Sequence, residues 1–409
     1  MPAVYRKHVL AACIAACASA APAQAQDGVT FGIDGELRLR GEWDRRTVGI
    51  GADAATLSRI RVGGRASLTE WMRVYARLQD ARAWGTEGST LTDASADQLD
   101  MHQVHVELGT DAAAVRLGRQ EVALGDERLV GAVGWSNTGR VFDGARVLGT
   151  TGGVEWQAFW MNVAERDSLL PVGLVPQGNQ GIDDDGWLIG GFAATTIGGI
   201  SVELTALVDR DAETEESYTA NVRAHGSAGP LRYDAGGAYQ FGPNRSAYFA
   251  STRLGIALGQ ATVAVQGDLL SGDDDPAAGD AKAFHTLYGT NHKFYGYMDY
   301  FLAPQAQLDQ AGLGDVILRG SLALPRRVRV RADVHRFWTA RERFGSRALG
   351  SELDLIGDWG FHDLASLEVG VGIFAPTELA TRLIPAFAEG DDLAYWGYVQ
   401  LIVRWPGTR

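Results

Sequence analysis

Beyond residue 25 the chain predicts an all-β fold: a transmembrane antiparallel β-barrel of about 18 strands, with short periplasmic turns and long extracellular loops. Three observations predict it. Apolar and charged residues alternate with the period of two that belongs to a strand. Linkers between candidate strands alternate short and long. No stretch approaches the roughly 18 consecutive apolar residues that a membrane helix needs, so any crossing must be made by strands.

The chain opens with Arg6 and Lys7, an apolar run from Val9 to Ala16, and Ala23-Gln24-Ala25, the pattern of a secretory signal peptide cleaved before Gln26. Residues 1–25 are therefore expected to be removed, leaving 26–409 as a single barrel domain. Ile14-Ala15-Ala16-Cys17 also fits a lipoprotein box, the competing reading of this segment. Cys13 and Cys17 both precede the Ala-Gln-Ala site, so cleavage there leaves no disulfide and no thiol ligand. The formal charge is −13, and loss of Arg6 and Lys7 with no Asp or Glu makes the mature chain −15. That balance excludes nucleic acid as the expected partner.

The first segment carries the alternation most clearly: Phe31, Ile33, Leu37, Leu39 and Trp43 on one face, Asp34, Glu36, Arg38, Arg40, Glu42 and Asp44 on the other. A soluble sandwich would produce the same single strand, so the decision rests on the whole series. Candidate strands follow near 29–45, 57–68, 71–80, 101–109, 114–120, 140–149, 154–163, 187–195 and 201–209. The series continues near 218–226, 231–241, 247–258, 261–271, 314–324, 327–338, 351–358, 365–374 and 393–405. Every second linker is brief, as at Thr69-Glu70 and Gly259-Gln260, while 81–100, 121–139, 164–186, 271–313 and 375–392 are long. One face of the better strands stays uncharged, as in Ile60, Val62, Ala66 and Leu68, or Val328, Val330, Ala332 and Val334. Arginine or lysine at mid-bilayer on such a face costs about 2–4 kcal/mol. Trp43, Trp71, Trp84, Trp156, Trp160, Tyr239, Phe241 and Trp405 fall near strand ends, as interfacial girdles require.

The opposite faces are rich in arginine: Arg59, Arg61 and Arg65, then Arg73 and Arg77, then Arg329 and Arg331. Asp34, Glu36, Glu107, Asp234, Asp315, Asp333 and Asp354 share those faces, so the expected lumen wall is a mixed ladder with cationic patches. Like charges on neighbouring strands oppose folding and call for a compensating advantage. A cationic stripe in a narrow, low-dielectric pore supplies one by favouring anions. The excess acid lies mainly in the long loops, including Asp183–Asp185 and Asp273–Asp275; no full calcium-loop spacing supports a metal there, and no cofactor is expected.

Two segments resemble a known family. Residues 118–147 read GRQEVALGDERLVGAVGWSNTGRVFDGARV, and residues 283–301 read AFHTLYGTNHKFYGYMDYF. Both are similar to the alginate-export family of outer-membrane barrels, which implies 18 strands, a basic constriction and export of an acidic polysaccharide without chemistry. The resemblance implies that Arg119 and Gln120 face the constriction, that Asp126 and Arg128 shape an inward-folded loop, and that Arg140, Asp143 and Arg146 re-enter the wall. His292, Lys293, Tyr295, Tyr297 and Asp299 match the second motif, whose loop lies over the mouth or folds inward; a structural latch is the other reading of these residues.

An enzyme is not expected, because none of the histidines stands in a recognisable serine-nucleophile or His-Glu-x-x-His context. The expected protein is a passive, anion-selective channel in the outer membrane of a Gram-negative bacterium, with Arg59, Arg61, Arg73, Arg77, Arg119, Arg128, Arg140, Asp143, Arg146, Lys293, Arg329, Arg331 and Asp333 along its path. Its expected partners are an anionic polysaccharide or a small anionic solute, outer-membrane lipid and periplasmic export proteins, and it is expected to be monomeric. Uptake of small anions or sugars is the alternative, with lumen-facing Tyr75, Phe159, Trp396 and Tyr398 available to stack on sugar rings.

Overall fold

The computed structural model describes residues 28–405 apart from 50, 52, 85–98, 165–185, 211–215 and 278. The expected signal peptide, Asp183–Asp185 and residues 406–409 lie outside the described residues. Eighteen strands form one sheet: β1 (Thr30–Arg45), β2 (Asp53–Thr69), β3 (Met72–Trp84), β4 (Leu99–Gly109), β5 (Ala113–Gln120), β6 (Phe142–Thr151), β7 (Val154–Ala164), β8 (Gly186–Ile197) and β9 (Ile200–Arg210). Then come β10 (Ser217–Ala228), β11 (Leu231–Gly242), β12 (Arg245–Leu258), β13 (Ala261–Leu270), β14 (Leu313–Leu324), β15 (Val328–Arg343), β16 (Ser346–His362), β17 (Ala365–Pro376) and β18 (Ala394–Trp405). Each strand pairs antiparallel with the next, and β18 pairs back onto β1 from Gly35↔Trp405 to Arg45↔Tyr395, so the sheet is closed. Closure removes the unpaired edge that hydrocarbon could not solvate.

The exterior is apolar because the alternation is kept all the way round. Phe31, Ile33 and Trp43, Ile60 and Val62, Leu204, Leu254, Val265, Leu318, Val334 and Val399 are all exposed outside the wall. A contiguous surface of this kind is a defect in water and a requirement in lipid. Eight connections at one end are turns of two or three residues, and the long loops all leave from the other end. Two loop-end connections are tight: Pro243-Asn244, and Phe344-Gly345 between β15 and β16.

The second of these corrects the sequence reading, which ends one strand near 338 and starts the next near 351. The hairpin runs on to Arg343 and back from Ser346, and Phe344 and Gly345 both take the positive φ of a two-residue hairpin turn, 52° and 78°. Register shifts between Phe337, Trp338 and Arg343 break the period of two, which hides the extension from an alternation count.

Among the described residues, loops 121–141, 271–312 and 377–393 pack into the barrel. Short helices α1 (Pro304–Gln307) and α2 (Glu378–Leu383) lie in loops 271–312 and 377–393. Loop side chains including Tyr295, Met298, Tyr300, Phe301, Leu308, Leu379 and Phe387 pack with Phe337, Phe374 and Trp396 of the wall into one buried apolar cluster. A core therefore exists inside the loop half of the barrel, built from loops rather than from a second layer.

Candidate functional site

Loop 121–141 crosses the lumen as a strap. On β1 and β2 the inward residues Arg38, Arg40, Arg59 and Arg61 are all buried, and a buried guanidinium must be hydrogen-bonded. Arg38 donates to the carbonyls of Gly134 (3.0 Å), Trp135 (3.0 Å) and Ser136 (2.8 Å), and Arg59 to Gly134 (3.1 Å) and Ser136 (2.8 Å) while also pairing with Glu36. Arg61 donates to Thr138 O at 3.1 Å and pairs with Glu121 at 3.3 Å. Burial pushes the Glu121 carboxyl up, but the His102 hydrogen bond (2.8 Å) and the Arg61 charge outweigh it and hold the group below its ordinary range. The far end of the strap reaches the opposite wall, where Asp126 lies 3.5 Å from Arg223 of β10.

At the middle of the strap, Trp135 lies between a cation and an imidazole. The Arg40 guanidinium is 4.3 Å from the Trp135 ring centre, and His292 stacks on the ring at 4.3 Å, tilted 9°. Tyr398 and Trp396 meet the same ring edge-on at 4.9 and 6.0 Å. Cation–π and stacking contacts of this kind contribute about 0.5–2 kcal/mol each. His292 in turn bonds Asp299 at 2.6 Å.

The second motif loop is sewn to the strap and to the far wall. Lys293 and Thr290 both hold the Glu127 carboxylate, Arg140 donates to Tyr288 O, and Val130 bridges Tyr288 in parallel. Arg128 lies 3.0 Å from Asp268 of β13, 3.9 Å from the Phe294 ring centre and within hydrogen-bond reach of Tyr295 (3.4 Å). Burial disfavours its charge, but Asp268 and Tyr295 more than offset that and hold the guanidinium firmly protonated. The wall behind is acidic: Asp315, Asp333, Glu352 and Asp354 are all buried, with His335 bonded to Asp315 at 2.8 Å and Arg319 to Asp333 at 2.8 Å. Glu352 accepts the Met298 N–H at 2.9 Å, and Arg331 donates to the Tyr297 hydroxyl.

At the turn end the lumen wall carries arginines and carboxylates in equal number around one cavity. A cavity of about 430 Å³ is lined by Arg73, Arg116 and Arg146 together with Glu107, Asp111 and Glu155, and Ala123 of the strap roofs it. Arg116 and Arg146 are direct cross-strand neighbours on β5 and β6. Arg116 pairs with Glu107 at 2.6 Å, whereas Arg146 donates to the neutral Gln157 at 3.3 Å and its Nε is buried without a partner. Arg65 lies 5.7 Å from the ring centre of Tyr75, beside His105.

The residues singled out from the sequence thus fall into five places, apart from two treated below. Arg59 and Arg61 anchor the strap, Arg77 pairs with Asp34 lower on the same wall, and Arg73 and Arg146 reach the open cavity. Asp126, Arg128, Arg140, His292, Lys293, Tyr295, Tyr297, Asp299, Arg331 and Asp333 knit loops to wall, and Arg329 stands exposed at the turn end of β15.

Arg119 and Asp143 are a correction, because they do not line the lumen. Val115 and Leu117 point outward from β5, and Arg119 follows them with a bidentate bond to Asp143, its outward neighbour on β6, at 2.8 Å. Tyr398 and Trp396 face inward as expected but are covered by Trp135, leaving no face for a sugar ring. The sequence reading left Arg38, Arg40, Trp135, Arg116 and Glu352 out of the site; for both β1 arginines the signal was present, since they share the charged face of the clearest alternating strand. Among the described residues no group of three His, Cys, Asp or Glu side chains is arranged to hold a metal.

A family model described as alginate export matches residues 28–168 and 205–382. The chain belongs to the alginate export family. Similar folds are found in crystal structures of OccAB1 from Acinetobacter baumannii (TM-score 0.61, 13% identity, 94% of this chain and 99% of that one) and of the outer membrane protein opdK from Pseudomonas aeruginosa (0.63, 12%, 92% and 98%). A BenF-like porin from Pseudomonas fluorescens Pf-5 is similar too (0.61, 12%, 91% and 98%). No curated protein matches the chain by sequence. As an alginate export family member with this architecture, the protein is a porin-like outer-membrane β-barrel, and its family and fold are those of a transport channel.

Proposed function

We propose that the protein is a passive, anion-selective channel of the bacterial outer membrane whose passenger is an acidic polysaccharide such as alginate. The observation that carries this reading is the pair Arg116 and Arg146, facing the same cavity from directly opposed positions of adjacent strands. Like charges placed opposite each other destabilise a sheet, and Glu107 is the carboxylate bonded to Arg116 while Arg146 has a neutral partner. A carboxylate-bearing solute entering the cavity supplies the missing counter-charge, and the surrounding low-dielectric wall strengthens its attraction. Family membership supports a polymer as the solute. The strap across the lumen favours a second reading, passage of small anions, because it divides the bore into narrower spaces.

Planar-bilayer recordings in a salt gradient test the proposal. Arg116→Glu with Arg146→Glu should move the reversal potential from the anion toward the cation side, and an unchanged potential would refute the assignment. Uronate oligomers should block the wild-type current at lower concentration than the monomer. Equal block by monomer and oligomer would favour the small-anion reading.

A further inference from the structure

The outer face of the wall carries its charges at one end. The sheet register turns Arg45, Arg82, Arg119, Arg210 and Arg336 outward in the loop-end half, and among the described strand residues no charged side chain faces outward in the turn-end half. Arg45 and Arg210 are the last residues of β1 and β9, where water reaches them. Arg82 and Arg119 lie deeper and are neutralised in place, by Asp80 at 2.7 Å and by Asp143 at 2.8 Å. Arg336 is also within the wall, and it has no such partner.

Arg336 follows Val334 on the outward face of β15, and its cross-strand neighbours are Val316 of β14 and Ser351 of β16. Val316 and Val334 are both exposed, so the guanidinium stands at the edge of the apolar band. Among the described residues its one bond is to the Ser351 hydroxyl, which accepts from Nη1 at 3.1 Å. The carboxylates nearest in sequence and register, Asp315 and Glu352, are buried on the lumen side and do not share its face. Trp338, the next outward residue toward the loops, lies flat across Gly314, where a Cβ would collide with the indole.

A lipid-facing arginine is costly at mid-bilayer and tolerated only where its charge reaches the headgroup level. The indole beside it marks that level, because tryptophan gathers at the membrane–water interface. A guanidinium held there attracts an anion, and the protein supplies none.

We infer that Arg336, Ser351 and Trp338 bind a phosphate group of an outer-leaflet lipid, a phosphorylated glycolipid of the lipid A class. The long-loop end of such a barrel is the end that meets the outer leaflet, which fixes the source of the phosphate. The planar guanidinium matches two phosphate oxygens, and the Ser351 hydroxyl, which accepts from Arg336, still has its proton to donate to a third. Val316 and Val334 continue the site downward as a bed for acyl chains, while the indole offers a flat face to the sugar. The site lies outside the bore, so it stands apart from whatever the channel conducts.

Full-length protein in phosphatidylcholine nanodiscs, doped with bis-phosphorylated lipid A and read by native mass spectrometry for lipid retained on the barrel, tests the site. The wild type should retain lipid A, and Arg336→Gln should weaken retention by about fivefold, the effect of one cation near an anionic headgroup. Arg336→Lys keeps the charge but loses the fork, and should fall between the two. Equal retention by wild type and Arg336→Gln overturns the site. Phosphatidylglycerol retained as well as lipid A would overturn the glycolipid assignment, and displacement of lipid A by inorganic phosphate would make the occupant a free ion instead. Glutamine brings no charge to the lipid face, so the variant should remain a heat-modifiable barrel; should it not, Arg336→Leu carries the same expectation.

Discussion

The two walls of the lumen solve the same problem with opposite charges. On β1 and β2 four buried arginines hold the strap by its carbonyl oxygens; on β13 to β16 buried carboxyl groups hold the second motif loop by its N–H groups and the strap by Arg128. Each strategy uses the half of the peptide group that its charge attracts. The difference is that guanidinium stays charged at any ordinary pH, whereas a carboxyl group can lose its role with one proton. The cationic wall takes main-chain acceptors, and the acidic wall main-chain donors.

The largest effect should come from removing the cation that stabilises the acidic wall. Arg128→Met leaves Asp268 buried and unpaired, and breaking a buried pair on one side costs about 3–5 kcal/mol. The heat-modification midpoint of the barrel should fall accordingly, and the double variant with Asp268→Asn should recover a large part of the loss. A double variant no more stable than Arg128→Met would mean that Asp268 is not the group Arg128 serves.

A smaller effect is expected on the cationic wall, where Glu121 links the strap to Arg61 and His102. Its carboxyl is held below the ordinary value of 4.5, so its contribution is complete above that value and is lost as pH falls through the lowered one. Acid should therefore loosen the base of the strap, increasing proteolysis within 121–141 once the pH falls below the ordinary carboxylate range. Glu121→Gln should show that sensitivity at neutral pH and no further change in acid; an acid response identical to that of the wild type would remove Glu121 from the strap's anchorage.

The smallest effect should come from the outer face. Replacing Arg119 and Asp143 together by Leu removes an exposed pair whose contribution is about 0–1 kcal/mol, and it touches no lumen residue named above. Reversal potential and conductance should stay at wild-type values. A shift comparable to that of the Arg116 and Arg146 charge reversals would return Arg119 to the conduction path and undo the assignment of faces.

Arg119 also shows where sequence reasoning went astray. Val115, Leu117 and Arg119 share one parity on a strand whose other parity carries Arg116, so alternation alone assigns Arg119 to the outside. The motif resemblance placed it in the constriction instead. On a strand of only eight residues, two apolar positions are a thin signal beside a thirty-residue motif. The inward fold of loop 121–141 was implied by the resemblance, but its anchors were hidden for another reason: Arg38 binds Gly134 at a separation of 96 residues, through a backbone carbonyl that every residue type presents.

The sequence by itself determined that this chain closes into a barrel of eighteen strands, because lipid outside and water within impose a period of two on every crossing and leave no other satisfied backbone. Tertiary structure alone decided what fills the bore. Whether an inward arginine meets a passing solute or the carbonyl of a folded loop depends on contacts between distant segments, and those contacts leave no local pattern to read.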